Sequence, residues 1–225
     1  MKALTRCALM LAYAWSAVAL GAQIGAQSVA ADVSKVNGSV HLESGRRAGD
    51  VSTVNGSVTI AAGAGARDVE TVNGSVRIEA RAGINSAESV NGAITVGEGA
   101  QVAGRLETVN GDIRLRRGAR VAGGVGNVNG ELLVDGAEVQ RGIETVNGDI
   151  RLTAGSVVTG GIRVHRNGGK FWQGWGTRHN PRLTLEAGAT LQGPLRLERE
   201  VDLYVAPGVD VPAVEGVAPK RHTLQ

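Results

Sequence analysis

The residues best suited to binding chemistry are concentrated in one segment, residues 162–182, which reads IRVHRNGGKFWQGWGTRHNPR. Exposed aromatic rings stack on sugars and anchor protein partners, and basic side chains beside them add polar contacts. Two interpretations are open: a binding loop, or a loop that folds its aromatic rings over the rest of the protein to cover apolar surface. The candidate binding residues are Phe171, Trp172, Trp175, His165, His179, Arg166 and Arg178.

Metal and catalytic chemistry have little support in the sequence. His165 and His179 have no third ligand at a useful spacing, and the single Cys7 excludes a multi-cysteine zinc site. The chain has no G-x-S-x-G, H-E-x-x-H or P-loop motif. A polysaccharide-cleaving β-helix enzyme would need clustered acids on long loops, and residues 162–182 contain no Asp or Glu. We therefore expect no catalytic site, no metal and no cofactor.

One motif, Val-Asn-Gly, recurs seven times at intervals of 18, 18, 18, 19, 19 and 18 residues. Such a fixed period is typical of a stacked repeat architecture. The calcium-binding type of repeat requires regularly placed Asp, which the first four copies lack, so we expect no structural calcium. The repeated asparagines are Asn37, Asn55, Asn73, Asn91, Asn110, Asn129 and Asn147.

Each repeat alternates apolar and polar residues, as VSTVNGSVTIAAGAGARD from Val51 illustrates. Positions 1, 8 and 10 of the repeat, here Val51, Val58 and Ile60, are aliphatic throughout, with one alanine at position 1. Period-two alternation with β-branched residues predicts short strands. Because an 18-residue unit cannot bury its own apolar face, the units must stack. The predicted fold is all-β: a single-stranded, right-handed parallel β-helix (β-solenoid) with about 18–19 residues per coil.

The Asn-Gly pair has two interpretations. If it is a corner, the asparagine side chains stack along the axis and form a hydrogen-bonded ladder, and glycine supplies a positive φ. If the strand is unbroken, Val54 faces the core while Thr53 and Asn55 face solvent. The corner is favoured because Asn-Gly is a strong turn signal. A structural ladder is favoured over a ligand-binding array for the asparagine column. Which side of the coil the asparagines face is left open.

The remaining segments complete the domain organisation. Residues 1–31 are predicted to be a signal peptide, 32–161 the seven repeat coils, 162–182 the aromatic and basic insertion, 183–213 C-terminal coils with a cap, and 214–225 a frayed basic tail. All five prolines lie in the last 45 residues, where strand pairing must stop.

The N-terminal segment has the layout of a secretory signal: Lys2 and Arg6 precede an apolar run that ends in small residues. The cleavage position is open between Ala22 and the neighbourhood of Ala31. Cleavage lowers the formal net charge from +3 to about +1, which argues against nucleic-acid binding. We expect an exported protein, periplasmic or extracellular, with no membrane span after signal cleavage.

The V-N-G-[SD]-[VI]-x-[LI] coil, repeated over residues 33 to 161, resembles a bacterial adhesin-like family built from stacked TVNGDI-type repeats. The coils GARVAGG, GSVVTGG and GATLQGPLRL are similar to those of bactofilins, the polymer-forming cytoskeletal proteins. Both resemblances imply a β-helix and neither implies catalytic residues. The signal peptide departs from typical cytosolic bactofilins and favours a role in the cell envelope.

The sequence thus predicts an exported structural or adhesive β-solenoid module rather than an enzyme. An uncapped end coil exposes unpaired backbone groups, so copies are expected to assemble end to end unless the segments at the ends block them. The expected partners are the chain itself or a cell-envelope polymer or glycan. The alternative is a carbohydrate-binding protein that uses Trp172 and Trp175.

Overall fold

The computed structural model describes residues 30–153, 155–166 and 180–224, and this part of the chain is all-β. Parallel strands stack in ten coils of roughly 18 residues, so the predicted β-solenoid is confirmed. The described part of the chain contains no helix of the length and hydrophobicity that a membrane span requires.

Each coil contributes one strand to each of two long sides, and several coils add a third. The first side consists of β1 Val33–Asn37, β3 Val51–Asn55, β5 Gly65–Asn73, β7 Gly83–Asn91, β10 Leu106–Asn110, β13 Val125–Asn129, β16 Ile143–Thr145, β19 Ile162–Val164, β22 Leu195–Leu197 and β24 Val214–Gly216. The second side consists of β2 Val40–Leu42, β4 Val58–Ile60, β6 Val76–Ile78, β8 Ile94–Val96, β11 Ile113–Leu115, β14 Glu131–Val134, β17 Asp149–Leu152, β20 Arg182–Leu185, β23 Asp202–Val205 and β25 Lys220–Thr223.

The third side is shorter. The first halves of β5 and β7 begin it, and two-residue strands continue it: β9 Gln101–Val102, β12 Arg120–Val121, β15 Glu138–Val139, β18 Val157–Val158 and β21 Thr190–Leu191. Because β5 and β7 run on from the third side into the first, the two sides form one 15-stranded sheet. The second side is a separate 10-stranded sheet.

The register aligns equivalent positions of successive repeats. Val51 lies opposite Val69 on the first side, and Ile60 lies opposite Ile78 on the second. In-register parallel pairing places equivalent side chains in columns, so one inward aliphatic column continues through the stack. These inward residues are almost fully buried and form one continuous core cluster. Burial of aliphatic side chains at about 25 cal/mol per Å² supplies the main stabilising free energy.

The corner lies at the glycine and the residue after it, because β3 ends at Asn55 and β4 begins three residues later, at Val58. The structure gives a different reason for the glycine of the Asn-Gly pair than the positive φ expected from the sequence. Of the seven Asn-Gly glycines, only Gly38 and Gly130 have a positive φ. A Cβ on Gly74 would instead overlap the carbonyl oxygen of the corner glycine in the preceding coil. Close stacking of corner backbones therefore excludes a side chain.

A column of small polar residues faces the core, which neither interpretation of the Asn-Gly pair anticipated. Thr53, Thr71 and Thr108 are only 3–4% exposed. Each hydroxyl donates to the carbonyl of a corner glycine in the preceding coil, at 2.9 Å for Thr71 to Gly56. This bond satisfies a buried acceptor that the corner leaves without a ladder partner. The threonine therefore fixes the corner against the coil before it.

The C-terminal residues correct the prediction of a frayed tail. β24 pairs with β22, and β25 pairs with β23, all in parallel register. Residues 214–224 thus form the last of the described coils, and the strands of this coil are largely exposed because no other described coil covers them. The basic composition that suggested a tail belongs instead to the open edge of the sheet.

Candidate functional site

The outer surface of the first side carries a stripe of seven valines, which we call the valine stripe: Val36, Val54, Val72, Val90, Val109, Val128 and Val146. Strand alternation places the first six outward, since their neighbours at repeat positions 1 and 3 face the core, and Val146 directly follows the end of β16. Val36 in the first coil is 60% exposed, and the next six are half-buried. The stripe is therefore an apolar line of equally spaced methyl groups on an otherwise polar surface.

The asparagine ladder runs beside the valine stripe, as predicted. Each Nδ2 donates to the Oδ1 of the preceding asparagine, from Asn55 to Asn37 (3.0 Å) through Asn147 to Asn129 (3.1 Å). Six such bonds link all seven asparagines. The first six asparagines are exposed, so the ladder lies on the outer surface of the corner. Each exposed amide keeps a second N–H and a second acceptor lone pair for solvent or a ligand.

An acidic column flanks the valine stripe on its other edge. Glu88 lies opposite Glu107, and Glu144 continues the column after Gly126. Arg105 pairs with Glu107 at 2.9 Å, so basic residues partly balance this charge. The outer surface of the first side thus carries a line of valines and a line of amides over seven coils, with carboxylates beside the valines in four of these coils.

The valine stripe ends at the corner that holds two of the predicted binding residues. His165 follows Val164, which pairs with Thr145, so the imidazole occupies the stripe position after Val146. Its Nε2 lies 3.1 Å from Glu144 Oε2, and its Nδ1 lies 3.5 Å from Glu198 Oε1. The structure therefore places the histidine between two carboxylates.

The same corner perturbs Glu198. The backbone N–H of Arg166 donates to Glu198 Oε2 at 3.2 Å. This hydrogen bond lowers the pKa of the Glu198 carboxyl from its ordinary value, against a smaller opposing effect of desolvation, and the charges of His165 and Arg163 lower it further. Glu198 thus stays ionised beside the point at which the insertion leaves the coil.

The other five predicted binding residues, Phe171, Trp172, Trp175, Arg178 and His179, lie outside the described residues. The structure therefore brings together only His165 and Arg166 from that set. Among the described residues, no group of three His, Cys, Asp or Glu side chains is arranged to hold a metal ion.

A shallow depression of about 310 Å³ lies on the outer surface of the second side, near its C-terminal end. Its lining residues include Asp149, Arg151, Arg182, Thr184 and Tyr204. The Tyr204 ring lies between neighbours of the adjacent coils: it stacks on the ring of His222 at 4.5 Å, and Arg182 Cζ lies 5.2 Å from its centroid. Both ring faces are thus occupied, so a bound molecule would not stack on the tyrosine.

Sequence reasoning missed this depression because its residues are far apart in the chain. Register could have indicated it, since Arg182 pairs with Asp202 and Thr184 with Tyr204. The predicted insertion, 162–182, is too wide at both ends, because Ile162–Val164 and Arg182–Leu185 are strands of the coils. The residues that lie outside the described part, 167–179, end three residues before Arg182.

Comparisons of the chain with protein-family models, curated proteins and solved structures find no match, so these lines of outward side chains and the terminal coils themselves are what any functional proposal rests on.

Proposed function

We propose that this chain is an exported structural or adhesive module that binds a repeating cell-envelope polymer through the outer surface of its first side. The observation that carries this proposal is the repetition of the valine stripe and the asparagine ladder over seven successive coils. The resemblance of the repeats to the adhesin-like family supports the same role.

A repeating surface suits a repeating ligand for a physical reason. Successive coils are about 4.8 Å apart, so each valine and each amide recurs at that spacing. A weak contact made once per coil is then made many times along one polymer, and the summed contacts give avidity. The apolar line supplies burial, and the adjacent amides supply donors and acceptors.

Co-sedimentation with insoluble polymers tests this proposal. The chain without residues 1–31 is mixed with peptidoglycan sacculi, cellulose or chitin, and the bound fraction is measured. Val72→Glu with Val109→Glu should reduce binding at least tenfold, because two carboxylates interrupt the apolar line. The control, Thr59→Glu with Thr95→Glu, places the same charges on the second side and should leave binding unchanged. Equal binding by both variants, each checked for folding by circular dichroism, would contradict the proposal.

Export is the second part of the proposal, and it rests on the N-terminal sequence. Expression of the full chain in a bacterium, followed by fractionation and N-terminal sequencing, tests it. The expected product is a periplasmic or secreted chain that begins between Gln23 and Asp32. A full-length chain retained in the cytoplasm would refute this part.

The third part is a capacity for end-to-end pairing, and the terminal coils supply its backbone geometry. Within residues 30–224, as far as the structure describes them, β1 and β2 pair with a coil on one side only, and so do β24 and β25. Their outer edges therefore carry backbone groups that another copy could pair with. Side chains in such a joint decide whether pairing occurs.

Carbohydrate binding by the insertion is the alternative function. The observation that favours it is the depression at Arg182, three residues after the end of segment 167–179. Trp172→Ala with Trp175→Ala should abolish glycan binding on an array if this alternative holds. The same double variant should leave co-sedimentation unchanged if the valine stripe is the binding surface, so the two proposals are separable.

A further inference from the structure

The two ends of the solenoid match each other in backbone geometry. In a parallel ladder, alternate residues direct their N–H and C=O groups to the same neighbour. The N–H of Val40 donates to the carbonyl of Ser57, and the carbonyl of Leu42 accepts from the N–H of Ala61. The backbone groups of Val40 and Leu42 therefore point toward the second coil, and those of His41 point toward the open edge. At the other end, Leu224 N–H donates to Val205, which leaves Thr223 directed to the open edge.

A head-to-tail joint would continue the existing columns. Val33 begins the inward column that ends, through Leu195, at Val214. Val40 begins the inward column of the second side, and that column ends at Arg221, opposite Leu203. In a joint, the last coil of one copy would therefore place Arg221 opposite Val40 of the next copy.

The first coil has a cation at an inward position. Lys35 pairs in register with Thr53 and so belongs to the inward column whose next six members are threonine, serine or asparagine. Its ammonium group donates to the carbonyl of Ser39 at 2.9 Å. Because Ser39 immediately precedes Val40, this ammonium group lies at the corner that Arg221 of another copy would approach.

We propose that head-to-tail assembly is blocked by like charge, because a joint would enclose Lys35 of one copy and Arg221 of the next at the same corner. On the first and second sides, the other inward positions of the joint are Val33, Val40, Leu42, Val214, Gly216 and Thr223, and none of these described residues is acidic. Two cations removed from water without a carboxylate between them are strongly unfavourable. Inward-pointing charges are also a known device that protects sheet edges from pairing.

This inference rests on the end-to-end part of the proposed function and specifies its control. The backbone of the two ends is complementary, while their charges are not. The partner that fits either end is consequently a second copy whose facing cation has been replaced by a carboxylate. Polymer binding through the valine stripe does not depend on either cation.

Charge reversal tests the block. Four proteins lacking residues 1–31 are compared by light scattering and negative-stain imaging over a concentration series: the unsubstituted chain, Lys35→Glu, Arg221→Glu and the double reversal. Each single reversal creates an opposite-charge pair in the joint and should form rods of uniform width at a concentration at least tenfold below any assembly of the unsubstituted chain. The double reversal restores like charge and should return to single particles.

Matched controls exclude a general effect of charge. Lys220→Glu changes the same last strand, and His41→Glu changes the first coil, but both are outward positions, so neither should promote rods. Circular dichroism verifies that every variant is folded.

Three outcomes would overturn the block: rods from the unsubstituted chain, folded single reversals that stay single particles, or a double reversal that assembles as readily as the single ones. Failure of the proposed polymer binding through the valine stripe is detected separately, in the co-sedimentation assay.

Discussion

Thr71→Val tests the inward threonine column directly. The substitution keeps the shape of the side chain and replaces its hydroxyl group by a methyl group. In the structure, Thr71 is 3% exposed, and its hydroxyl donates to the carbonyl oxygen of Gly56 at 2.9 Å. The valine therefore leaves that carbonyl without this donor in a site that water does not reach.

The expected loss of stability follows from that bond. An unsatisfied buried acceptor costs about 1–3 kcal/mol, and the added methyl group returns roughly 0.8 kcal/mol of apolar transfer free energy. We expect the free energy of unfolding to fall by about 0.2–2 kcal/mol, with a central value of ~1 kcal/mol. With a urea m-value of about 2 kcal/mol per M, the unfolding midpoint should fall by about 0.1–1 M.

Urea unfolding followed by circular dichroism measures this shift, and Thr59→Val is the matched control. Thr59 lies between the inward residues Val58 and Ile60, so it faces outward on β4 and is half-buried. The same chemical change there should alter the free energy of unfolding by less than about 0.5 kcal/mol. If Thr71→Val is as stable as the unsubstituted chain, or more stable, the claim that the inward threonine hydroxyls stabilise the corners is refuted.

Three further changes probe the corners and the ladder by urea unfolding. Asn91→Ala removes two ladder bonds and should cost about 1 kcal/mol, whereas Asn37→Ala removes one and should cost about half as much; equal costs would show that the ladder bonds do not set the stability. Gly74→Ala should cost about 3 kcal/mol or more through backbone overlap, while Gly83→Ala, with no atom within 4 Å of the new Cβ, should cost nothing; similar stabilities would contradict the close stacking of corners. Arg81 has a φ of 57° where neighbouring coils have glycine, so Arg81→Gly should stabilise the chain by about 0.5 kcal/mol, and a loss of stability would refute strain at that corner.

The fold was predictable because the repeat encodes it several times over. Seven copies of one motif give the period, and the aliphatic residues at positions 8 and 10, such as Val58 and Ile60, give the inward face of the second side. Stacking then follows from the small size of the unit. The asparagine ladder was predictable for the same reason, since identical amides at a fixed period meet in every coil.

Hydrophobicity alone did not predict which side chains of the first-side strands face the core. Position 3 is polar and position 4 is valine, so an apolar preference alone turns Val54 inward and Thr53 outward. The structure has the reverse. The corner needs a hydrogen-bond donor for the glycine carbonyl, and a threonine hydroxyl can supply one while a valine cannot. Satisfaction of a buried polar group therefore outweighs the burial of one more valine, and the valines remain outside as a stripe.

The end coils could not be assigned from composition, because a basic segment is compatible with either a tail or a last strand. Register distinguishes them: Arg221 continues the column of Leu203, whereas Lys220 continues the outward column of Asp202. A cation in an inward column has no function inside a coil stack, but it has one at its end, where it makes another coil costly to add. The last coil thus completes the hydrogen bonds of the coil before it. Its own outer edge matches the first coil of a second copy in backbone hydrogen-bonding geometry, but the facing side chains Arg221 and Lys35 carry the same charge.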